Sequence, residues 1–388
     1  MSKRLLFTGV STMRDHAGQH KLYFIADALG RRGVPVSVLV PDRDENRAFL
    51  ADKPHVDSHF YMPGNVASDL RSKARMLARN EWSAVWVVGV GLRSLTLRGW
   101  WAPGVPIVKD FDEFPSMIES FGPMRRAYLR WIERRMIRQA EGFTCASAFL
   151  EATVRRHRPR LRQRVLRLPV AISADEHQVR PELVARLQTA AGGRSVLVYV
   201  GSLNRFYEDQ IDEILRLASV LRRRGSHAII RILGGGPDAD YFKTKSVQAD
   251  VASVVEWAGH VDRADLASHM DAAHVLIFPF PATPFNVSRC PTKAFHYAAA
   301  NRPVVTNRTG EVAALFGEAA LYYPEHDVEA LADRCEEALR RSARTGPGRA
   351  LHELTWDARA ETLRAWLDVQ GWLPLRAAPR VTAMAGTR

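Results

Sequence analysis

Cysteine is scarce in this chain of 388 residues, where only Cys145, Cys290 and Cys335 occur. An odd number of cysteines without metal-type spacing indicates neither a disulfide framework nor a zinc site. The longest run without a charged residue, 272–288, contains His274 and three prolines, so no membrane-spanning helix is expected. The apolar run that follows the charged start is too short for a signal peptide and is typical of a first strand. We therefore expect a cytoplasmic protein with reduced thiols.

Lysine is also scarce, with 8 residues against 47 arginines, and the formal net charge is +13. Most of that charge lies in residues 1–190, where 31 basic and 19 acidic residues leave +12. Such a half attracts anionic substrates, anionic membrane surfaces or nucleic acid. No nucleic-acid-binding motif accompanies the charge, so a nucleic-acid partner is not expected.

Two arginine clusters stand out within this basic half, at 125–138 and 155–167. In the first, a helical apolar stripe that includes Tyr128 and Ile132 opposes a basic face, and Trp131 lies at its border. Solvated helix faces explain both clusters in the simplest way. The alternative is a patch that binds an anionic membrane surface, which would place the protein peripherally on the inner face of the membrane.

The chain alternates strand and helix patterns, which predicts an α/β fold. One βαβ series begins at RLLFTGV, and a second begins at RSVLVYVGSL. We therefore predict two tandem Rossmann-like, doubly wound domains that face a cleft. The expected boundaries are 1–170 for the first domain, 171–193 for a linker, 194–345 for the second domain, and 346–388 for a C-terminal helix and tail that packs back on the first domain.

The stretch RCPTKAFHYAAANRPVVTN, residues 289–307, predicts a turn, a short helix and a buried strand. Lys293 and His296 follow Thr292 near the helix start and project from nearly the same face. Because a helix N-terminus exposes unpaired N–H groups, this segment is suited to binding a phosphate. The simpler interpretations are a solvent-facing lysine and a histidine that packs within the protein.

These residues resemble the KLFEYMAAGKPVV segment of family-4-type GT-B glycosyltransferases. Further segments follow in the same order: YVGSL resembles a phosphate-side glycine turn, ILGGGPD a strand-loop, and WAGHV a base-side loop. The resemblance covers roughly residues 5–340. It implies a GT-B architecture, with donor contacts that include Gly201 and Gly259.

The sequence departs from that family at several donor positions. Two glutamates that would hold the donor sugar and the ribose are replaced by Ser288 and His296. A neutral imidazole still hydrogen-bonds ribose hydroxyls, because one ring nitrogen donates and the other accepts. The basic residues of the glycine turn are also missing; Ser202 follows the glycine, and Arg205 is the nearest substitute cation.

The xanthan-type glucuronosyltransferases, which are also GT-B enzymes, are similar in these departures. They have a lysine at the position of Lys293 and an aspartate after the strand that matches VPIVKDFDEF. In them this aspartate is the base of an inverting transfer, so the resemblance implies a catalytic role for Asp112, with Asp110 as the alternative. The simpler interpretation is that both aspartates cap the turn after their strand.

His16 and Gly18, at the first strand-helix turn, are expected on the acceptor side, although Gly18 also suits a plain turn. The resulting hypothesis is a glycosyltransferase, of hexosyl or glucuronosyl type, that moves a sugar from a nucleotide sugar to a hydroxyl of a glycan, a lipid-linked acceptor or a small glycoside. No cofactor or metal is expected. The alternatives are a catalytically silent scaffold that binds a nucleotide sugar, and a nucleotide-sugar epimerase.

Overall fold

The computed structural model describes residues 3–10, 17–79, 81–94, 104–341 and 349–374. The chain forms two compact units. The first contains residues up to 146, residues 150–169 and the C-terminal part from Trp356, and the second contains 147–149 and 170–355. Each unit is built on its own parallel sheet.

In the described part of the first unit, seven strands pair in the order β3-β2-β1-β4-β5-β6-β7. Its strands are β1 Arg4–Thr8, β2 Val36–Pro41, β3 Val56–Tyr61, β4 Trp82–Val87, β5 Ile107–Phe111, β6 Gly142–Cys145 and β7 Val165–Arg167. Its helices along the same stretch are α1 Ala17–Arg31, α2 Asp44–Ala51, α3 Val66–Leu77, α4 Pro123–Gln139 and α5 Ala148–His157. The strand order reverses between β1 and β4, which is where doubly wound sheets bind ligands.

In the described part of the second unit, six strands pair in the order β10-β9-β8-β11-β12-β13. Its strands are β8 Ser195–Val200, β9 Ala228–Leu233, β10 Val255–Gly259, β11 Val275–Phe278, β12 Val304–Thr306 and β13 Leu321–Tyr322. Its helices are α6 Pro181–Ala190, α7 Glu208–Arg223, α8 Ala239–Gln248, α9 Arg263–Asp271, α10 Pro284–Ser288, α11 Thr292–Ala300, α12 Gly310–Phe316 and α13 Val328–Arg340. Here the order reverses between β8 and β11.

The central strands are apolar because helices cover both faces of each sheet. β9, AIIRIL, is buried along its whole length, and the inner four residues of β8 are buried as well. The core of the second unit joins these strands to α7, whose apolar side includes Ile211, Ile214 and Leu217. The predicted fold class of two doubly wound α/β units is confirmed.

The segment 171–193, predicted as a linker, belongs to the second unit. It contains α6, which packs against α9, and the backbone N–H of Arg180 donates to the Ser268 hydroxyl at 2.8 Å. These contacts explain why the segment groups with the second sheet. Residues up to Thr355 also stay with the second unit, where Thr355 bridges to Ile172.

The last helix, α14 Trp356–Val369, packs against α1 of the first unit. The ring of Trp356 stacks on Phe24 with 5.7 Å between centroids, and Asp357 accepts from Arg32 at 2.7 Å. Trp372 lies over the start of β6, where a Cβ on Gly142 would come within 2.6 Å of its ring. The first unit is therefore assembled from both ends of the chain.

Candidate functional site

Three loops of the second unit meet at the carboxyl ends of β8, β9 and β10. The N–H of Gly201 donates to the carbonyl of Leu233 at 3.0 Å, and that of Gly234 donates to Gly259 at 2.8 Å. A Cβ on Gly234 would overlap the carbonyl oxygen of Gly201, and its φ of 152° also favours glycine. The glycines thus let the loops approach each other closely, so the predicted donor residues Gly201 and Gly259 occupy neighbouring loops.

Helix α11 follows β11 in the chain. β11 lies next to β8, and the strand order reverses between these two strands. Pro291 precedes its first residue, Thr292, and Asn301 ends it in the left-handed conformation with φ 49°. Gly201 and Ser202 follow β8, the neighbouring strand. The predicted phosphate-side residues Ser202, Thr292 and Lys293 therefore come from segments after the two strands that flank this point.

Lys293 is held by aromatic side chains. Its Nζ donates to the Tyr199 hydroxyl at 3.1 Å and lies 4.4 Å from the centre of that ring and 4.8 Å from the centre of the Phe278 ring. No carboxylate pairs with it among the described residues. Burial lowers the pKa of Lys293 well below its ordinary value of 10.5, and the charge of Arg289 lowers it further. An anion bound beside this ammonium would favour its charged form and so oppose both effects on the pKa.

Arg289 is the second cation of this group, and it was not among the predicted site residues. Its guanidinium lies 4.9 Å from the centre of the Phe285 ring and 5.6 Å from that of Tyr207, and its Nε donates to Asn286 at 3.0 Å. Tyr207 also lies near Lys293, at 6.0 Å. The two cations thus share aromatic neighbours. The sequence offers one indication of this role: Arg289 lies four residues before Lys293, just ahead of helix α11.

Arg205, which we predicted as the nearest substitute cation, has different surroundings. Its side chain is 63% exposed and stacks on Tyr241 at 4.2 Å, and its backbone N–H donates to Asp238 at 2.9 Å. Ser202 accepts a hydrogen bond from Asn204 at 2.9 Å. Both side chains remain on the surface of the loop after β8.

The two residues that replace the family's glutamates differ in their availability to a ligand. Ser288 is fully buried, and its hydroxyl donates to the carbonyl of Phe285 at 2.8 Å. His296 has a buried Nδ1 for which the structure shows no hydrogen-bond partner. Burial lowers the pKa of His296 to about 3, with the charges of His177 and Arg263 acting in the same direction. His296 is therefore a neutral imidazole able to donate and accept, whereas Ser288 is committed to its own helix.

In the first unit, an acidic pair lies at the carboxyl end of β5. Asp110 is buried on the strand, and Asp112, whose side chain is 21% exposed, follows it. Lys21 of α1 is fully buried and donates to Asp112 at 2.6 Å and to both oxygens of Asp110 at 3.3 Å. Thr144 of β6 also donates to Asp110. The expectation that these aspartates only cap a turn is thereby replaced by a buried ion cluster.

The ionisation of this cluster follows from its burial. Burial raises the pKa of Asp110 to about 7; the charge of Lys21 opposes this, and that of Asp112 adds to it. Burial disfavours the ammonium of Lys21, but the two carboxylates raise its pKa above the usual range. Lys21 was not among the predicted site residues, although a lysine on the apolar face shared with Ile25 and Ala28 indicates an internal partner.

Comparison with known proteins shows the type of fold and a family model that matches part of the second unit. Residues 194–341, which include the loops of the second unit described above, match the model of the family described as "Glycosyl transferases group 1". A Bacillus subtilis (strain 168) protein described as a teichuronic acid biosynthesis glycosyltransferase, TuaH, is 22% identical over 218 residues. That match covers 55% of this chain and about half, 52%, of TuaH.

Two solved structures resemble almost the whole chain. The UDP complex of Anabaena HepE superimposes with a TM-score of 0.72 at 14% identity, over 94% of this chain and 100% of HepE. Sucrose-phosphate synthase from Thermosynechococcus elongatus superimposes with a TM-score of 0.71 at 16% identity, over 95% and 99% of the two chains. The chain has the GT-B fold.

Two predictions remain to be compared with the structure: the residues on the acceptor side and the absence of a metal site. Gly18 lies in the first turn of α1, and His16 lies outside the described residues. Among the residues that the structure describes, no group of three or more histidine, cysteine or acidic side chains is arranged to hold a metal ion. Metal independence stays a prediction. None of the described helices is long and apolar enough to cross a membrane.

Proposed function

We propose that this protein is a glycosyltransferase that moves a sugar from a nucleotide-sugar donor to a hydroxyl acceptor. The observation that carries the proposal is the unpaired ammonium of Lys293 at the strand-order reversal of the second unit, within the segment that matches the glycosyl transferases group 1 family. A nucleoside diphosphate supplies the missing negative charge. HepE, whose fold this chain shares, binds UDP and UDP-glucose.

We assign the donor to the second unit. Lys293 and Arg289 would stabilise the diphosphate as it leaves, and His296 would hydrogen-bond the ribose. Gly201, Ser202, Thr292 and Gly259 would contribute backbone or hydroxyl groups, with Arg205 at the edge. Because Ser288 is buried, the donor sugar needs another contact.

We assign the acceptor base to Asp112 in the first unit. The ion pair with Lys21 uses Oδ1, so Oδ2 of this partly exposed carboxylate remains an acceptor for a hydroxyl proton. Direct attack by an acceptor hydroxyl that a carboxylate base deprotonates implies inversion at the anomeric carbon. Asp110 is buried and therefore cannot contact an acceptor directly.

Incubation with UDP-, GDP- and dTDP-sugars, with and without sugar and lipid-linked acceptors, tests the activity. We expect nucleoside diphosphate release that depends on an acceptor, persists in EDTA, and gives a glycoside of inverted configuration by NMR. Nucleotide binding without any transfer would support the silent scaffold, which the replacement of both family glutamates favours. Conversion of the donor to an epimer would support the epimerase, and a retained configuration would exclude Asp112 as the base.

We further propose that α4 binds an anionic membrane surface. Its outer face exposes Met124, Tyr128 and Trp131, with exposed fractions of 87%, 46% and 55%, and a groove beside Trp131 is lined by arginines that include Arg130 and Arg134. Tyr128, which we predicted in the inward apolar stripe, thus joins the outer face. Exposed aromatic rings among arginines suit a headgroup region.

Co-sedimentation with vesicles tests the membrane proposal. We expect binding to vesicles containing phosphatidylglycerol but not to pure phosphatidylcholine, and the binding should weaken as salt is raised. Arg134→Glu should reduce it, whereas Arg222→Glu, an exposed change on α7, should not. Equal sedimentation with both vesicle types would leave α4 as a solvated face.

A further inference from the structure

A chain of buried hydrogen bonds connects the core of the first unit to Asp112. The Trp86 indole N–H donates to the Thr144 hydroxyl at 2.9 Å, and Thr144 donates to Asp110. Lys21 then joins Asp110 to Asp112. Each hydrogen bond fixes the next side chain of this series, beginning with Trp86 in the core. The position of Asp112 therefore depends on buried groups that no substrate can reach.

Only the last member of this chain is accessible. The side chains of Lys21 and Asp110 have no exposed surface, whereas that of Asp112 is 21% exposed. Lys21 therefore cannot touch a substrate and acts through Asp112. Among the residues that the structure describes, its ammonium is the one group in direct contact with both carboxylates, at 2.6 Å and 3.3 Å.

We propose that Lys21 is a positioning residue for sugar transfer: its buried ammonium fixes Oδ1 of Asp112 and offsets the like charges of the two carboxylates. The inference rests on the proposed function, because it assigns Asp112 the part of acceptor base. Two carboxylates that share a site without a cation retain a proton to much higher pH. Without Lys21, the carboxylate pair would thus retain a proton at neutral pH, and a pair that already shares a proton is a poorer acceptor for the hydroxyl proton.

No other described group near the cluster can replace the charge of Lys21. Lys109 of β5 donates to the Gly89 carbonyl at 2.6 Å, and burial lowers its pKa well below the ordinary value despite the opposing charge of Asp110. Burial raises the pKa of Cys145 on β6, and Asp110 adds to this, so the thiol is neutral. Thr144, the other side chain in contact with Asp110, does not titrate.

The test is the pH dependence of kcat/KM for donor turnover in Lys21→Met, a change that keeps the length of the side chain. We expect the acidic limb of the profile to move up by at least about one pH unit, with a loss of about tenfold or more at pH 6 and recovery at pH 9. Lys21→Met/Asp110→Asn, which also removes the like charge, should move the limb back down. Lys243→Met, the same change at an exposed lysine, should leave the profile unchanged.

If Lys21→Met does not fold, the same comparison is made between Asp110→Asn and the double variant. Loss of Lys21 should again move the acidic limb of the pH profile to higher pH. Transfer by Lys21→Met with the wild-type profile, or a loss of activity equal at all pH values, would overturn the inference while leaving the proposed function intact. Wild-type protein that binds UDP but transfers no sugar would instead overturn the proposed function and this inference with it.

Discussion

Replacement of Lys293 by methionine should weaken nucleoside diphosphate binding and at the same time stabilise the unliganded protein. Methionine matches the length of the lysine stem and keeps its contacts with the rings of Tyr199 and Phe278. What disappears is a positive charge that has no carboxylate partner among the described residues and lies near Arg289. The variant therefore isolates the charge from the packing.

The size of the binding loss follows from the bond that is removed. A hydrogen bond from an ammonium to a phosphate oxygen contributes about 1.5–3 kcal/mol, which corresponds to roughly a 10- to 150-fold increase in Kd. Titration calorimetry with UDP, GDP and dTDP measures this change. Lys243→Met is the matched control, because Lys243 is exposed and pairs with Asp240.

The same charge makes binding and stability depend on pH. Burial and Arg289 lower the pKa of Lys293 in the folded protein, so the unfolded chain binds more protons and the free energy of unfolding rises with pH toward 10.5. A bound diphosphate favours the ammonium, so above the lowered pKa, binding takes up a proton and weakens as pH rises. Calorimetry in buffers of different ionisation enthalpy should detect this uptake in the wild type and its loss in Lys293→Met.

Equal affinity of Lys293→Met and the wild type for all three nucleotides would refute the reasoning. It would show that the diphosphate lies elsewhere, away from the aromatic group around Lys293. A lower free energy of unfolding in the variant would separately refute the claim that the unpaired cation destabilises the unliganded fold.

Three further predictions concern the first unit. Asp112→Asn should lower kcat about 10²- to 10⁴-fold with donor affinity nearly intact, and Asp110→Asn should lower it less; full activity in Asp112→Asn would exclude it as the base. Because the pKa of Asp110 in the folded protein is raised from 3.8 to about 7, its contribution to stability should be lost as pH rises from about 4 to 7. Chemical denaturation should thus show the wild type losing up to about 4 kcal/mol relative to Asp110→Asn over this range, and a constant difference would contradict it. Gly142→Ala should cost about 1–3 kcal/mol in the same assay because its Cβ meets Trp372, and an unchanged midpoint would mean that Trp372 does not pack there.

The alternation of strands and helices could be predicted from the sequence because the central strands are apolar on both faces. β8, SVLVYV, and β9, AIIRIL, are mostly apolar and rich in branched residues, and the glycines of the neighbouring loops mark the close approach of Gly234 to Gly201. β3, by contrast, shows no such pattern in its sequence. It lies at the edge of its sheet, where VDSHFY carries polar side chains toward solvent, so its pattern resembles a loop.

Local sequence also determined which helix carries Lys293, since the proline before α11 and the buried β12 after it delimit that helix. Only the tertiary structure decided what surrounds each functional group. Lys21 meets Asp110 across 89 positions, and Arg32 meets Asp357 across 325. Such pairs depend on the order of the strands and on where the last helix docks. Both follow from the burial of whole faces of the sheet and its helices. The charge on Lys21 is therefore a property of the folded sheet rather than of the segment that contains it.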